Sequence, residues 1–171
     1  MLTVIRQNNF STNEIVGYLD NFIQKGIQND SVRGQALTIV LDNPDVNPIV
    51  SLHRWVREHV HYRDDPSLLY PGEVGELFIS PVLMIHNHDK GIELYGDCDD
   101  SALLLTTLYR CIGYDAHIVL LDTKGEGFDH AITMVNVTDT MGNPNGMTVY
   151  ADATGNVPCG WIETYERKLI V

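Results

Sequence analysis

The chain has 171 residues, of which 44% are apolar, and its 11 basic and 23 acidic side chains give a formal net charge of −12. This length and apolar fraction predict one globular domain with a sizeable core. The basic residues form no cluster, so neither a nucleic acid nor an anionic membrane surface is an expected partner.

Helical periodicity dominates the first part of the chain. Ser11 and Glu14 have the spacing of a capping box, and the apolar residues behind them predict a first helix over 12–27. A second helix is expected over 31–41. A third begins near Pro48, which suits a first helical turn. Its apolar stripe consists of Ile49, Leu52, Val56 and Val60.

Two groups of histidines raise the question of a metal site. They are His53, His59 and His61, followed by His86 and His88. His53 and His59 are six residues apart and do not share a helix face well, and neither group has a familiar ligand spacing. We therefore expect surface or hydrogen-bonded histidines, with no metal and no cofactor.

Residues 64–95 carry repeated proline and glycine signals, which predict a long, mostly irregular stretch with one or two short helical pieces. The apolar residues between Leu77 and Ile85 indicate that it is ordered. Long loops inside a compact domain are often functional. Because this one ends at Cys98, we expect it to form one wall of a site.

The sequence Gly96-Asp97-Cys98-Asp99-Asp100 leads into a run to Cys111 that is apolar on nearly every face, which predicts a central buried helix. The N-terminus of a helix favours negative charge and can lower the pKa of a thiol, so Cys98 is a candidate nucleophile. The competing interpretation is a small buried hydrophobic residue.

The cysteines and the N-terminal residues predict the cellular setting. Three cysteines do not suggest a disulfide framework, and Cys98 and Cys111 are too far apart on one helix to be bridged. Cys159 is most simply structural. No signal peptide and no membrane-spanning run are apparent, so a cytoplasmic protein is expected.

Gly113 is the expected end of the central helix, and period-two alternation then predicts three strands. They are 116–121, 128–137 and 147–151, with a turn at Gly142 to Gly146 before the third. Along the second strand, one face is formed by Ala131, Thr133, Val135 and Val137.

The last two predicted strands bring a histidine and a carboxylate together. As hairpin neighbours they place His130 and Asp152 at the same end of the sheet, against which the helix start with Cys98 can pack. In such a set the imidazole takes the thiol proton, the carboxylate orients the imidazole, and the thiolate attacks an acyl carbon. The backbone N–H of Cys98 is positioned to donate to the developing oxyanion.

Four segments in this order resemble the transglutaminase-like superfamily, a branch of the papain-like cysteine protease fold. They are IVSLHRWVREHVHYRDDP, GDCDDSALLLTTLYRCIGYDAHIV, FDHAITMV and VYADAT, within roughly Ile49 to Thr154. The resemblance implies Cys98 as nucleophile, His130 as base and Asp152 as orienting residue. We expect an α+β fold in which a helical N-terminal half and a central nucleophile helix pack on a small antiparallel sheet.

The surroundings of the nucleophile depart from the family pattern at one place. Ile132 stands where an aromatic residue commonly follows the histidine, so one wall of the site is expected to differ. Tyr62 and Tyr95 are the candidates for an oxyanion side chain.

The acids beside the nucleophile have two opposing effects. Asp97, Asp99 and Asp100 flank Cys98, and nearby carboxylates raise the pKa of a thiol. Their simplest interpretation is as first-turn acids that stabilise the helix, because adjacent carboxylates do not make a calcium loop.

We expect a single transglutaminase-like domain over 1–171, with 1–45 as a helical N-terminal extension and 46–171 as the catalytic core. The leading function is acyl transfer at the amide or peptide bonds of a protein or peptide substrate. We expect hydrolysis as the first choice and protein-glutamine transglutamination as the second, because water competes for the thioester unless an amine site shields it. The alternative from another class is a non-catalytic binding or assembly component, including part of a phage virion.

Overall fold

The computed structural model describes residues 4–7, 11–65, 76–138 and 144–171. The helices among them are α1 (Thr12–Ile27), α2 (Asp30–Leu41), α3 (Pro48–His59), α4 (Pro81–Asp89) and α5 (Cys98–Cys111). The strands are β1 (Val4–Gln7), β2 (Val60–Tyr62), β3 (Glu76–Ile79), β4 (Leu94–Gly96), β5 (Asp115–Asp122), β6 (His130–Thr138), β7 (Pro144–Ala151) and β8 (Arg167–Ile170). The α+β class expected from the sequence is confirmed.

The first and third helices begin at the signals that the sequence carries. The backbone N–H of Ser11 donates to Glu14 Oε2 at 2.9 Å, and the N–H of Glu14 donates to Ser11 Oγ at 3.3 Å, so the capping box closes in both directions. Asn47 caps α3 by accepting from the N–H of Ile49 at 2.9 Å, with Pro48 as the first helical residue. The predicted bounds of α1 are confirmed.

Helix α5 is the centre of the fold, and every residue from Asp100 to Tyr109 is buried. Helix α1 approaches it at Gly26, where a Cβ would lie 2.4 Å from Thr107 Cγ2, so any larger residue would force the helices apart. On the face towards the sheet Thr106 Oγ1 lies 3.0 Å from Thr133 Oγ1, which itself donates to the Ala102 carbonyl at 3.1 Å. These bonds satisfy the hydroxyls of Thr106 and Thr133, which their burial would otherwise leave unpaired.

The main sheet is antiparallel in the order β7-β6-β5-β8. Strand β6 is buried on both faces because Thr133 contacts α5, while Ile132 and Met134 pack with Ile162 and Tyr165 of the C-terminal segment. The pair Thr133–Ala151 sets the register of β6 with β7. This register brings the start of β6 and the end of β7 to one end of the sheet.

Short pairings account for the differences from the predicted elements. Val60, which continues the apolar stripe of α3, instead begins β2, which pairs with β4 in parallel. The stretch 76–95 contains β3, α4 and β4 and is more regular than expected, and β3 pairs with β1. Strand β8, which was not predicted, pairs with β5.

Two of the predicted segments cannot be compared with the structure in full. Residues 66–75 of the predicted irregular stretch and the first residues of the turn at Gly142 to Gly146 lie outside the described residues. Among the helices that are described, none combines the length and the apolar character needed to cross a membrane.

Candidate active site

Cys98 is the first residue of α5, as the sequence predicts. Asp97 caps the helix by accepting from the N–H of Asp99 at 3.2 Å. The N–H of Cys98 lies in the first helical turn, where backbone donors have no partner within the helix. A glycine is needed at position 96, two residues before Cys98, because a Cβ on Gly96 would lie 2.7 Å from the Asp100 Cβ. The chain therefore presents a thiol and a backbone donor at the same point.

The structure brings His130 and Asp152 together at the end of the sheet. His130 Nε2 donates to Asp152 Oδ2 at 2.8 Å, and the two side chains are only 17% and 6% exposed. The other carboxylate oxygen, Asp152 Oδ1, accepts from the N–H and the hydroxyl of Thr154 at 2.8 and 2.6 Å. Because both oxygens are held, the carboxylate has one orientation relative to the imidazole.

The thiol of Cys98 completes the set, because Cys98 and His130 line the same groove and Cys98 is close enough to raise the pKa of the imidazole. Since Nε2 is bonded to Asp152, Nδ1 is the ring nitrogen left for Cys98. Burial acts to lower the pKa of His130, but the hydrogen bonds and the negative charges of Asp152 and Cys98 raise it to about 10. The pKa of Asp152 is lowered, because its bonds with His130 and Thr154 outweigh the effect of burial.

A groove of about 220 Å³ gives access to the thiol. Its apolar and aromatic lining is formed by Ile15, Tyr62, Phe78, Leu120, Phe128 and Ala131, and its polar lining by Asp97, Cys98, Asp99, Asp129 and His130. Ile132, at the family's aromatic position, is buried and absent from this lining. Aromatic surface is instead supplied by Phe128 and Tyr62, which are 38% and 54% exposed.

The two candidate oxyanion tyrosines lie in different places. Tyr62 lines the groove beside Cys98, and burial together with the charges of Cys98 and Asp64 raises the pKa of its hydroxyl. Tyr95 donates to Glu93 and lies under the guanidinium of Arg63, 3.9 Å from the ring centroid. Tyr62 therefore remains a candidate, while Tyr95 lines a separate pocket.

The acids around Cys98 are more buried than their interpretation as first-turn residues implies. Asp100 is fully buried, and its Oδ1 accepts from the N–H of Ile79 at 2.7 Å while Oδ2 has no hydrogen-bond partner among the described residues. Burial and neighbouring carboxylates raise the pKa of Asp99 and of Asp100 well above the usual range. Acids that stay protonated are neutral, so they oppose a thiolate at Cys98 less than their number implies.

One group of carboxylates could hold a cation. Oxygens of Asp65, Asp97 and Asp100 lie within 4.8 Å of one another, the only such set of His, Cys, Asp or Glu ligands in the described part of the chain. Carboxylate oxygens suit hard cations such as calcium. Sequence reasoning missed Asp65, because it comes from a segment well before the nucleophile helix and no spacing motif connects them.

The histidines of the two predicted groups do not form one cluster in the structure. His53 Nε2 lies 2.6 Å from the main-chain carbonyl of Asp152, a contact that no sequence pattern indicated. The His59 ring stacks on Trp55 with centroids 4.5 Å apart, and His88 contacts both rings edge-on. Of the two groups, only His53 therefore touches the catalytic candidates.

Comparisons with known proteins place this geometry within a known fold. No family model and no curated protein matches the chain at the level of sequence. Among solved structures, a proposed cysteine protease from Cytophaga hutchinsonii is similar with a TM-score of 0.51 and 18% identity, over 88% of this chain and 48% of that one. A structure described as a TGase matches with a TM-score of 0.40 and 16% identity, over 93% of this chain and 37% of the other.

The similarity to the Cytophaga hutchinsonii protein shows a shared fold, which agrees with the α+β architecture expected from the sequence. The chain spans about half of the length of that protein and less of the second. At 18% identity the likeness concerns the fold and not the reaction, which has to be argued from the residues.

Proposed function

We propose that this chain catalyses acyl transfer at amide or peptide bonds, with water as acceptor and a protein or peptide as substrate. Cys98 is the nucleophile, His130 the base and Asp152 the orienting residue. The observation that supports the proposal most is the hydrogen bond between the His130 ring and the buried Asp152 carboxylate, in an accessible groove that the Cys98 thiol also lines.

Acylation begins from the pair in which His130 Nδ1 already holds the proton of Cys98 Sγ, because the raised pKa of His130 favours its charged form. The thiolate attacks the acyl carbon and forms a C–S bond, and the electron pair of the carbonyl moves onto its oxygen. The N–H of Cys98 donates to that oxyanion, with the hydroxyl of Tyr62 as a second candidate donor. The intermediate then collapses, the C–N bond breaks, and His130 gives its proton to the departing amine.

Deacylation repeats these steps with water. His130 accepts a proton from water, the hydroxide oxygen attacks the thioester, and the C–S bond breaks to release a carboxylic acid and the Cys98 thiolate beside the protonated imidazole. A primary amine in place of water would give transglutamination. Hydrolysis is favoured because Cys98 is only half-buried, so water reaches the thioester.

Mass spectrometry of a mixed peptide library, incubated with a fluorescent primary amine, tests both acceptors at once. Cleaved peptides or glutamines converted to glutamates support hydrolysis, whereas amine adducts support transfer. Both products should disappear in Cys98→Ala and persist in Cys111→Ala and Cys159→Ala. Products that persist in a folded Cys98→Ala variant would contradict the proposal. Binding of a partner by that variant without turnover would instead favour the assembly role.

A further inference from the structure

Helix α3 holds the segment that carries Asp152 at two points. His53 lies 2.6 Å from the carbonyl of Asp152, and Arg57, one turn later, donates to the carbonyl of Val157 at 3.2 Å. The first contact is buried, since His53 is 2% exposed and Asp152 is 5% exposed. Ninety-nine residues separate the two partners along the chain, so this contact is a feature of the tertiary structure.

Asp152 needs such an anchor because the sheet does not supply one. The register of β6 with β7 ends at the pair Thr133–Ala151, so Asp152 lies one residue beyond the last strand pair. Thr154 fixes Asp152 Oδ1, but Thr154 belongs to the same segment and would move with it. The contact with His53 comes from a packed helix outside this segment.

The chemistry of the contact fixes the state of His53. A main-chain carbonyl only accepts hydrogen bonds, so Nε2 carries the proton and donates it. Burial lowers the pKa of His53, and the charge of Arg57 acts in the same direction, although the bond with Asp152 opposes both. A neutral ring with its proton on Nε2 therefore occupies the position.

We propose that His53 is a positioning residue of the triad, whose Nε2–H holds the Asp152 main chain so that the Asp152 carboxylate stays on His130. The catalytic part of this inference rests on the proposed function, in which Asp152 orients His130. It predicts that loss of the donor at position 53 weakens the Asp152–His130 bond without removing either residue. The first consequence is a lower titration midpoint of the His130 ring, and the second is slower alkylation of Cys98.

The substitutions His53→Met and His53→Gln give a matched pair. They are similar in length and volume, but only glutamine has a donor that can reach the Asp152 carbonyl. The control Arg57→Gln loosens the same segment at Val157, five residues further from the carboxylate. If His53→Met does not fold, His53→Asn takes its place. Asparagine has a donor, but it is one methylene shorter than glutamine, so the donor falls short of the Asp152 carbonyl.

NMR titration of the His130 ring is the primary measurement, and alkylation of Cys98 near neutral pH is the second. We expect His53→Met to lower the His130 midpoint by about one unit and to slow the alkylation of Cys98. His53→Gln should restore most of the His130 midpoint and most of the alkylation rate, and Arg57→Gln should change neither quantity much. In an Asp152→Asn background His53→Met should have no further effect on either, because a positioning residue acts through Asp152.

Two results would overturn the inference: an unchanged His130 midpoint in the folded His53→Met protein, or the same shift in the Asp152→Asn background. Failure of the proposed function looks different. In that case the wild-type protein would turn over no amide, while the His130 midpoint would still respond to position 53.

Discussion

His130 and Asp152 are joined by a 2.8 Å hydrogen bond across the ends of two neighbouring strands, 22 residues apart in the chain. The β6–β7 hairpin builds this pair, and helix α5 adds the thiol of Cys98 from another direction. The fold favours the charged form of both residues, because the pKa of His130 is raised and that of Asp152 is lowered. The two residues therefore stabilise each other's charged forms, and this mutual dependence can be measured.

Replacing Asp152 with asparagine keeps the shape of the side chain and removes its charge. Without that charge the imidazolium formed during the reaction is less stable, and we expect turnover of an amide substrate to fall by about 10²- to 10⁴-fold. Asp115→Asn, on exposed surface of β5, is the matched control and should leave turnover unchanged. An Asp152→Asn enzyme with wild-type kcat would show that the carboxylate has no part in the chemistry.

The titration of His130 makes stability depend on pH in a defined direction. Its pKa is raised from about 6.5 in the unfolded chain to about 10 in the fold, so the folded state holds the proton more tightly. The contribution to stability is therefore fully present below pH 6.5 and is lost as the pH rises through about 10. Chemical denaturation of wild type and His130→Gln should show a stability difference that shrinks across this window. A difference that grows with pH would contradict the assignment.

Thr133 links the sheet to helix α5 inside the core. Its hydroxyl contacts Thr106 Oγ1 at 3.0 Å and the Ala102 carbonyl at 3.1 Å, and neither threonine is exposed. Thr133→Val would leave both partners buried without their bond, and we expect it to destabilise the protein by about 1–3 kcal/mol. Thr138→Val, at the exposed end of the same strand, is the control. Equal unfolding free energies for the two variants would be inconsistent with this structure.

Asp100 provides a test of the buried carboxylates. Burial and the neighbouring Asp97 and Asp65 raise its pKa, although the N–H of Ile79 opposes them. A raised pKa favours the folded state at low pH, and that advantage is lost as the pH rises from about 4 towards neutral. Asp100→Asn removes this titration, and its amide can donate to the neighbouring carboxylates.

With a chelator present to remove bound cations, Asp100→Asn should be more stable than wild type near pH 7, and its advantage should disappear near pH 4. Asp45→Asn, at an exposed position, should show no such trend. Thermal melting at several pH values measures both. An Asp100→Asn protein that is less stable than wild type at neutral pH would refute this account of the cluster.

Those parts of the fold that depend on local sequence could be predicted. The capping box at Ser11 and the unbroken apolar run after Cys98 each determine a helix with little help from distant residues. The alternation around Ala131 likewise predicted a strand. Short strands such as β2 and β8 could not be found in this way, because their pairing partners lie far away in the chain.

The candidate site shows the same division. Cys98, His130 and Asp152 could be selected because each lies at a boundary of a predictable element. His53 could not be selected, because on α3 it adjoins the apolar stripe, and only the packing of α3 against the segment after β7 gives it a partner. Asp65 joins the acidic cluster for a comparable reason, since its approach to Asp97 and Asp100 depends on tertiary packing.

The central claim is that the triad activates the thiol, and the rate of iodoacetamide labelling against pH tests it most directly. Cys111 and Cys159 are internal controls, because burial raises the pKa of Cys111 to about 11 and also raises that of Cys159. We predict that labelling of Cys98 is already fast well below pH 8.5, roughly where a free thiol is half ionised, and that Asp152→Asn removes this advantage. Labelling of Cys98 that follows the two controls in the wild-type protein would contradict the account.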